Sequence, residues 1–372
     1  MYKAIFLTNL QALKSEITGG VQLCSREFHD IISSIAEIEL TDYYVSYTRK
    51  LSQRLSIKLG MENYSMYDVK KDAPALLEYI RNNRVNLVFI NMASLVRYAG
   101  PVKTAFGDQV RIVLLSHGNH SGDFLHLITK PLTRPSALKR ILQKIRLGML
   151  ISTESEYRVR YLDGVVALSE TERQIENWFG GRKVVFLPRR LYADFLSYDP
   201  IPGRVGFMGR LDHPPNLQGM AILLDQLQKT DHSKIKIRLV GAPESYGREL
   251  QQRYPFIEYL GELSDKDLEK EVAGWSLLLN PVWWYSTGAS TKLSRAISWG
   301  VPIISTTAGM RGYDWRQGAL LVADTPEEMA GWMLRIAPDP AQVQHWAGQT
   351  RTIAVNGPTP EDLAAKIKSA YR

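Results

Sequence analysis

The residues best suited to chemistry lie in one stretch, where a loop of small residues runs into a helix that carries a lysine. The loop consists of Ser286, Thr287, Gly288, Ala289, Ser290 and Thr291, and Lys292 follows it. A helix start leaves backbone N–H groups without intrahelical partners, and the helix dipole adds roughly half a positive charge there. Such a loop suits phosphate, although an ordinary well-capped helix would use the same residue types. Lys292 favours the phosphate interpretation, because its ammonium would meet the same anion.

Two further candidates lie in the first half of the chain. His117 follows the apolar segment 109–116, at the carboxyl end of a predicted central strand, where open α/β sheets bind their ligands. Gly19 and Gly20 precede a predicted helix, and adjacent glycines let a ligand approach the backbone closely. A histidine held in an ordinary loop and a simple tight turn are the alternatives for these two sites.

The candidates need a scaffold of parallel strands, and the sequence predicts two such sheets. Apolar strand-like segments alternate with amphipathic segments of helical period, which is typical of α/β domains. The segment 198–203 has two prolines and a glycine and is interpreted as a linker. We predict a first domain over 1–197, a second over 204–356 and a terminal helix within 357–372. Two local predictions are a strand at 64–67 and Asn216 as the N-cap of a helix over 217–229.

Length and composition indicate a globular protein of two domains. The chain has 372 residues, of which 45% are hydrophobic and 23% charged. A single cysteine, Cys24, excludes an intrachain disulfide and fits a reducing cytosolic setting, where it would be a small apolar residue. The amino terminus is too short an apolar run for a signal peptide, and no window reaches 18 apolar residues. We therefore expect a cytoplasmic protein that does not span a membrane.

Positive charge is concentrated in one predicted helix. The formal net charge is +8, which implies acidic partners without identifying them. Between residues 130 and 146, basic and apolar residues recur at helical spacing and acidic residues are absent. The basic ones are Lys130, Arg134, Lys139, Arg140, Lys144 and Arg146, and the apolar ones are Leu138, Ile141, Leu142 and Ile145. This helix would either be a solvated face or dock on an anionic inner membrane leaflet. Nucleic acid is disfavoured, because no aromatics are interleaved with the basic run.

Several motifs resemble those of GT-B glycosyltransferases, most closely the retaining glycosyltransferase family 4. In the second half these are GFMGRLDHPPN from residue 206 and STGASTKLSRAISWGVPIISTTAGMRG from residue 286. In the first half, DGVVALSETER from residue 163 and VVFLP from residue 184 are similar to family segments. The resemblance is good over about 163–324 and only in outline before that.

This resemblance implies a fold, a ligand and roles for particular residues. The fold would be two Rossmann-like parallel-sheet domains facing each other across a cleft, with the C-terminal helix returning to the first domain. Arg210 and Lys292 would hold the diphosphate of a nucleotide-sugar donor, and the N–H groups of Gly288, Ala289, Ser290 and Thr291 would cradle its distal phosphate. His117 would face the reacting sugar, and Gly19 and Gly20 would close over the phosphate. Gly209, Gly241, Thr287 and Arg295 would lie near the nucleoside or the sugar.

No metal or other cofactor is expected, because fixed cations can stabilise a departing diphosphate. The Asp-x-Asp sequence at Asp265 and Asp267, which resembles the metal motif of other glycosyltransferases, opens a helix capped by Ser264 and is interpreted as cap chemistry.

The sequence departs from the family pattern at two positions. Arg295 and Thr287 stand where the family usually has acidic residues. The acidic residue at the position of Arg295 usually accepts hydrogen bonds from ribose hydroxyls. The explanations are a different donor, a carboxylate supplied from elsewhere, or loss of activity. A donor without a ribose 2′-hydroxyl, such as a dTDP-sugar, would be least affected.

The function expected from the resemblance is transfer of a hexosyl or deoxyhexosyl group to a glycan or lipid-linked acceptor in cell-surface polysaccharide synthesis. Two alternatives stay open. One is a nucleotide-sugar epimerase on the same fold, and the other is a catalytically silent sugar-nucleotide-binding subunit.

Overall fold

The computed structural model describes residues 1–14, 19–48, 50–52, 64, 66–129, 135–284 and 288–372. The chain forms two compact units. Unit 1 comprises Met1–Pro188, Ser286–Gly288 and Thr359–Arg372, and unit 2 comprises Arg189–Tyr285 and Ala289–Pro358. Each unit contains one six-stranded parallel sheet, which is the α/β architecture that the alternating sequence pattern predicts.

The sheet of unit 1 has the strand order β2-β1-β3-β4-β5-β6. Its strands are β1 Tyr2–Asn9, β2 Ile38–Val45, β3 Leu87–Asn91, β4 Arg111–Leu115, β5 Gly164–Ala167 and β6 Val184–Phe186. Its helices are α1 Leu10–Lys14, α2 Gly20–Ser33, α3 Val69–Asn82, α4 Ala99–Phe106, α5 His120–Thr129, α6 Ala137–Arg160, α7 Glu170–Trp178 and the last helix of the chain, α15 Pro360–Tyr371. Short 3-10 helices occupy Ala93–Tyr98 and Gly107–Gln109.

The core of unit 1 lies on both faces of this sheet. The central strand β3 is buried at every position, as expected of a parallel strand covered on both sides. One apolar cluster includes Leu363, Ile367 and Tyr371 of α15 together with Phe6 and Phe28. The C-terminal helix therefore returns to the first domain, as predicted.

The sheet of unit 2 has the strand order β12-β11-β10-β7-β8-β9. Its strands are β7 Ile201–Met208, β8 Lys236–Val240, β9 Ile257–Gly261, β10 Trp275–Asn280, β11 Ile303–Ser305 and β12 Leu321–Val322. Its helices are α8 Pro214–Leu227, α9 Glu244–Arg253, α10 Asp265–Val272, α11 Thr291–Trp299, α12 Thr307–Met310, α13 Pro326–Ile336 and α14 Pro340–Val355.

Four local features differ from the sequence prediction. Residues 198–203 are not a linker: unit 2 begins at Arg189, and Ile201 already pairs with Trp275. Pro202 and Gly203 lie within the first residues of β7, an interior strand of the sheet. The predicted strand at 64–67 is absent among the described residues, where Tyr67 forms only an isolated bridge to Tyr47. Helix α8 starts at Pro214 with His213 as N-cap, so Asn216 lies inside the first turn. Helix α14 was not predicted from the sequence.

Candidate functional site

Unit 2 gathers most of the predicted residues at one edge of its sheet. The strands β7, β8, β10 and β11 are parallel, so their carboxyl ends meet at the same edge. Four loops start there, after Met208, Val240, Asn280 and Ser305. This is the edge at which open α/β sheets bind ligands.

Lys292 lies in the first turn of α11 and is held in place by Asn216. Its Nζ donates to Asn216 Oδ1 at 2.8 Å and lies 5.2 Å from the centroid of the Phe207 ring. The amide of Asn216 in turn donates from Nδ2 to the backbone oxygen of Arg210 at 2.8 Å. A Cβ on Gly209 would lie 3.8 Å from Lys292 Nζ, which is ordinary van der Waals contact, so Gly209 adjoins the ammonium. Asn216, which the sequence suggested as a helix cap, is therefore the residue that orients the candidate phosphate lysine.

A second cation, Arg311, lies close enough to Lys292 to affect its titration. Burial, together with the positive charge of Arg311, lowers the pKa of Lys292 to about 8. Arg311 directly follows α12, in the segment after β11, and its Nη1 donates to the backbone oxygen of Ala308 at 2.5 Å. Two like charges are thus held together on the folded chain, an arrangement that a multivalent anion would relieve. Sequence reasoning missed Arg311, although its place between two glycines in the second glycine-containing loop was a usable signal.

The predicted partner of Lys292, Arg210, is arranged differently. Its guanidinium makes two hydrogen bonds to Asp212, at 3.0 and 2.6 Å, and its side chain is 76% exposed. Only its backbone oxygen joins the Lys292 site, through Asn216. Its role in holding diphosphate remains a prediction.

The start of α11 is left without a side-chain cap. Ser290 is the N-cap residue, but its hydroxyl donates to Asn280 Oδ1 at 3.1 Å and no side-chain cap hydrogen bond forms. Tyr313 fixes the same residue from another side, since its hydroxyl donates to the Ser290 oxygen at 2.6 Å. Ala289 and Thr291 are partly exposed. The helix end is therefore rigidly held yet carries backbone donors that an anion could bind.

Gly288 and Thr287 belong to a less informative part of the loop. Gly288 has φ of +74°, which only glycine adopts readily, and its N–H donates to Glu172 Oε1 at 2.8 Å within unit 1. Thr287 lies outside the described residues.

Asn280, at the end of β10, connects the two loops that carry the cations. Its side chain is fully buried, and Nδ2 donates to Ser305 Oγ at 2.9 Å and to the backbone oxygen of Gly309 at 3.1 Å. Its Oδ1 accepts from Ser290. A Cβ on Gly309 would lie only 2.6 Å from Asn280 Nδ2, so a glycine is needed for this approach. One amide therefore fixes the loop before Lys292 relative to the loop before Arg311.

Gly209 and Gly241, predicted near the nucleoside or sugar, stand back to back at the same edge. Their φ angles are +144° and +141°, and a Cβ on Gly241 would lie 1.9 Å from the backbone oxygen of Gly209. Both positions require glycine for backbone reasons.

Arg295 is committed to a carboxylate on the neighbouring helix. Its Nη2 donates to Asp265 Oδ1 at 3.1 Å, and its guanidinium lies 5.7 Å from the centroid of the Trp299 ring. Asp265 is the first residue of α10, which follows the carboxyl end of β9 at this same edge. The Asp265 carboxylate is thus held by Arg295, one of the two positions at which the sequence departs from the family pattern.

In unit 1, His117 lies at the corresponding edge of the other sheet. Its Nε2 is 2.8 Å from Asn91 Oδ1 at the end of β3. The Asn91 amide is oriented by its Nδ2, which donates to Thr8 Oγ1 and Ser25 Oγ, both at 2.9 Å. In this orientation of the amide, Asn91 Oδ1 is the acceptor, and the contact corresponds to the His117 tautomer that is protonated on Nε2. The ring also packs edge-on against Phe28 at 5.5 Å.

Gly19 and Gly20 lie at the start of α2 in unit 1. The N–H of Gly19 donates to Gln22 Oε1 at 3.2 Å, and Gly19 has extended backbone with φ of −96°. The structure thus gives Gly19 a helix-capping contact, and closure of this pair over phosphate stays a prediction.

The basic helix α6 begins at Ala137, later than the predicted start at residue 130, extends beyond Arg146 to Arg160, and exposes an apolar face. Lys139, Arg140 and Lys144 of α6 are exposed, whereas Arg146 is partly buried with its guanidinium 4.3 Å from the Phe124 ring centroid. Lys130 and Arg134 lie outside the described residues. Leu138, Ile141, Leu142, Ile145 and Met149 are each 54–67% exposed, and their spacing places them on one side of the helix. We call these five residues the α6 apolar face.

Comparisons with known proteins agree with this architecture. Residues 202–339 match the family of glycosyl transferases group 1. Anabaena HepE, solved with UDP and glucose, superposes over 99% of this chain and 98% of its own with a TM-score of 0.63 at 16% identity. The fold is GT-B. Another GT-B structure, sucrose-phosphate synthase from Thermosynechococcus elongatus, superposes over 100% of this chain and 98% of its own with a TM-score of 0.69 at 13% identity.

The lipopolysaccharide outer core galactosyltransferase WaaB, in its apo form, is a third GT-B structure of this kind. It has a TM-score of 0.54 and 15% identity over 99% of this chain and 95% of its own. No curated protein matches the chain by sequence. Within the described residues of this GT-B chain, no helix is long and apolar enough to cross a membrane.

Proposed function

We propose that the protein is a glycosyltransferase that takes a sugar from a nucleotide-diphosphate donor. The observation that carries the proposal is the pairing of a partly buried lysine, Lys292, with a second cation, Arg311, beside the uncapped start of α11. Donor cleavage releases a diphosphate, and charge develops on its oxygens as the glycosidic bond breaks. Preorganised cations and N–H groups stabilise that charge without reorganisation. The match of residues 202–339 to glycosyl transferases group 1 supports the same assignment.

The finer parts of the proposal concern the sugar and the acceptor. We assign the diphosphate to Lys292, Arg311 and the N–H groups at Ala289–Thr291, and the sugar-facing role to His117. The transfer would retain the anomeric configuration, need no metal, and deliver a hexosyl or deoxyhexosyl group to a glycan or lipid-linked acceptor. Unchanged transfer in the presence of EDTA and proton NMR of the product anomer would test the metal and stereochemical parts.

The decisive experiment is a donor panel with two readouts. Thermal shift against UDP, GDP, dTDP and their sugar conjugates reads donor binding, since a ligand at 100 times its Kd stabilises by about 2.7 kcal/mol. Product analysis with lipid-linked and free glycan acceptors reads chemistry. Transfer to an acceptor supports the proposal, donor epimerisation without transfer indicates an epimerase, and binding without turnover indicates a silent subunit.

Donor affinity is expected to fall as pH rises above about 8. The diphosphate binds the ammonium form of Lys292, whose pKa burial has lowered to about 8, so above this pH binding must take up a proton. Well above this pH, the Kd for the donor should rise by at most roughly tenfold for each pH unit. Titration calorimetry with UDP-sugar or dTDP-sugar at pH 8.5, in two buffers of different ionisation enthalpy, would measure the uptake.

Lys292→Arg is the control for this pH dependence, because a guanidinium stays charged throughout the range. It should bind donor with little proton uptake at pH 8.5. Wild-type affinity that is flat between pH 7.5 and 9.5 would contradict the assignment of the diphosphate to Lys292.

We propose that Asp265 accepts the hydrogen bond from the ribose hydroxyls that an acidic residue at position 295 would otherwise accept. Arg295 holds Asp265 Oδ1 at 3.1 Å, while the Asp265 side chain is 73% exposed and can accept further hydrogen bonds. Asp265→Asn is expected to weaken UDP about 10-fold, the cost of one hydrogen bond to a charged group. The loss should be smaller for dTDP, which lacks the 2′-hydroxyl. Competition binding of the two nucleotides measures this, with the nearby Asp267→Asn as control, and equal losses for both would count against a ribose contact.

We further propose that the α6 apolar face docks on an anionic bilayer. Five exposed apolar side chains are flanked by three exposed cations, Lys139, Arg140 and Lys144. Basic residues near an anionic surface contribute about 1 kcal/mol each, and the apolar side chains add burial in the headgroup region. Such docking would bring the enzyme to a lipid-linked acceptor.

Leu142→Glu with Ile145→Glu is expected to abolish this membrane binding. In co-sedimentation with vesicles of phosphatidylcholine and 30% phosphatidylglycerol, the wild-type protein should pellet with the vesicles at low salt and stay in the supernatant at high salt. Val355→Glu, at an exposed valine of unit 2, is the matched control and should bind as wild type does. Wild-type protein that stays in the supernatant, or that forms a dimer disrupted by the same double substitution, would overturn the bilayer assignment.

A further inference from the structure

A fully buried group of charged side chains lies in unit 1, next to the loop that carries His117. Arg158 of α6 donates from Nε to Glu176 Oε2 at 2.8 Å and from Nη2 to Glu176 Oε1 at 2.9 Å. Both residues have no exposed surface. Glu176 comes from α7, so the pair joins two helices beneath the sheet edge where His117 lies.

Glu176 also holds the loop on both sides of His117. Its Oε1 accepts from Ser116 Oγ at 3.3 Å and from Asn119 Nδ2 at 3.0 Å. The N–H of Gly118 donates to Ser116 Oγ at 3.2 Å, which ties the third residue of the segment to the same carboxylate. One carboxylate oxygen therefore fixes the segment 116–119.

A second buried carboxylate holds the end of the same loop. Glu154 accepts from the N–H of Ser121 at 3.2 Å, from the Ser121 hydroxyl, and from Tyr64 Oη at 2.5 Å. The ring of His120 stacks on Tyr64 with centroids 4.9 Å apart. Glu154 lies one turn before Arg158 on α6, and Arg158 holds Glu176. The carboxylates of Glu154 and Glu176 therefore act on the segment 116–121 from one side.

This arrangement is a costly way to stabilise a fold. Charges removed from water recover their hydration only when every polar group is paired, and an apolar pair of similar volume often serves stability as well or better. Within the described residues, Arg158 Nη1 and Asn119 Oδ1 are buried and have no hydrogen-bond partner. The network is therefore incompletely satisfied, while each carboxylate makes its extra contacts to the 116–121 loop.

From these contacts we infer that Arg158 and Glu176 are positioning residues for His117. Arg158 fixes the Glu176 carboxylate, and Glu176 fixes Ser116 and Asn119, so that the backbone presents the His117 ring to Asn91. The inference rests on the proposed function for the sugar-facing role of His117. Its structural part, the placement of the ring, can be measured without any activity.

The test replaces the buried pair by apolar residues of similar volume, Arg158→Met with Glu176→Leu. The helices should stay packed, but Ser116 and Asn119 lose their acceptor, and the loop relaxes. We expect kcat to fall about 100-fold, as for a catalytic group displaced by roughly 1 Å, with donor KM nearly unchanged. The Nε2–H resonance of His117, read by NMR with labelled histidine, should shift or broaden as its bond to Asn91 is lost.

Asn119→Ala supplies a second, milder route to the same loop. It leaves the ion pair of Arg158 and Glu176 intact and removes one contact of Glu176 to the loop, so it should also lower kcat. Because both changes act through one contact, adding Asn119→Ala to the double variant should cost little more. This variant keeps the inference testable should the double variant not fold.

The matched control is Arg238→Met with Glu271→Leu, an ion pair of unit 2 whose side chains are 14% and 16% exposed. It should leave the His117 resonance and kcat close to wild type. A wild-type His117 resonance and wild-type kcat in the Arg158 and Glu176 variant would overturn the inference. If wild-type protein transfers no sugar, the proposed function fails, whereas the His117 resonance still decides the positioning.

Discussion

Replacing Lys292 by methionine is expected to lower kcat/KM for the donor about 1000-fold without lowering the melting temperature. A single preorganised group at a developing oxyanion contributes about 100- to 1000-fold, and Lys292 is both such a group and a main contact of the diphosphate. Stability should not suffer, because the depressed pKa of Lys292 means that its charge is costly in the folded state. Methionine keeps most of the volume and removes that cost, which offsets the lost hydrogen bond to Asn216.

The sign of the pH effect provides a second check on Lys292. The pKa is near 10.5 in the unfolded chain and about 8 in the folded one, so the unfolded state binds more protons between these values. The free energy of unfolding of the wild type should therefore rise with pH through that window, and that of Lys292→Met should not.

Steady-state kinetics and denaturant unfolding on Lys292→Met measure both effects, and Lys270→Met is the control at an exposed lysine of the same unit. The assignment fails if Lys292→Met retains wild-type kcat/KM, or if its activity is lost only because the protein unfolds.

Replacing Asn280 by alanine is expected to destabilise unit 2 by about 2–4 kcal/mol and to lower kcat/KM about 100-fold. Three partners lose a hydrogen bond: Ser290 Oγ, Ser305 Oγ and the backbone oxygen of Gly309. A buried polar group left unsatisfied costs about 1–3 kcal/mol, and the hydroxyls can recover part of this by rotation. The loss in activity follows from the loops, because Lys292 and Arg311 no longer keep their separation.

Asn280→Asp is a second variant, which conserves the shape of the side chain and changes only its hydrogen bonding. It can still accept from Ser290, but its second oxygen faces Ser305 Oγ and the backbone oxygen of Gly309, to both of which Asn280 donates. Urea unfolding and donor titration should show weaker binding together with lower stability for both variants. Asn356→Ala, which loses only one contact to Thr352 of its own helix, is the control. Wild-type donor affinity in Asn280→Ala would show that the two loops are not coupled through this residue.

Much of the scaffold could be predicted because it depends on local patterns. The alternation of apolar strands and amphipathic helices is visible in windows of ten to twenty residues, and the parallel order follows from it. The strands β1, β3 and β10 are buried along most or all of their length and appear as largely apolar runs. The strand predicted at 64–67 is wrong because the prediction used only this local pattern. Tyrosine has strand propensity, but Tyr64 and Tyr67 pack into the core without forming a strand.

The site was predictable only where one residue type carries the signal. A lysine after a loop of small residues and a histidine after a buried strand can be recognised from sequence alone. Asn216, Arg311 and Asn280 could not be assigned in this way. An asparagine near a helix start favours a capping role on local grounds, and only the fold brings it within 2.8 Å of an ammonium 76 residues away.

The sequence by itself determined the two α/β sheets, the lysine at a helix start and the amphipathic character of the basic helix, because each depends on neighbours within a few turns. Only the tertiary structure decided which cations meet. Arg210 pairs with Asp212 and Arg295 with Asp265, whereas Arg311 joins Lys292. The physical reason is that parallel strands bring distant loops to one edge, where burial and charge act through space and not along the chain.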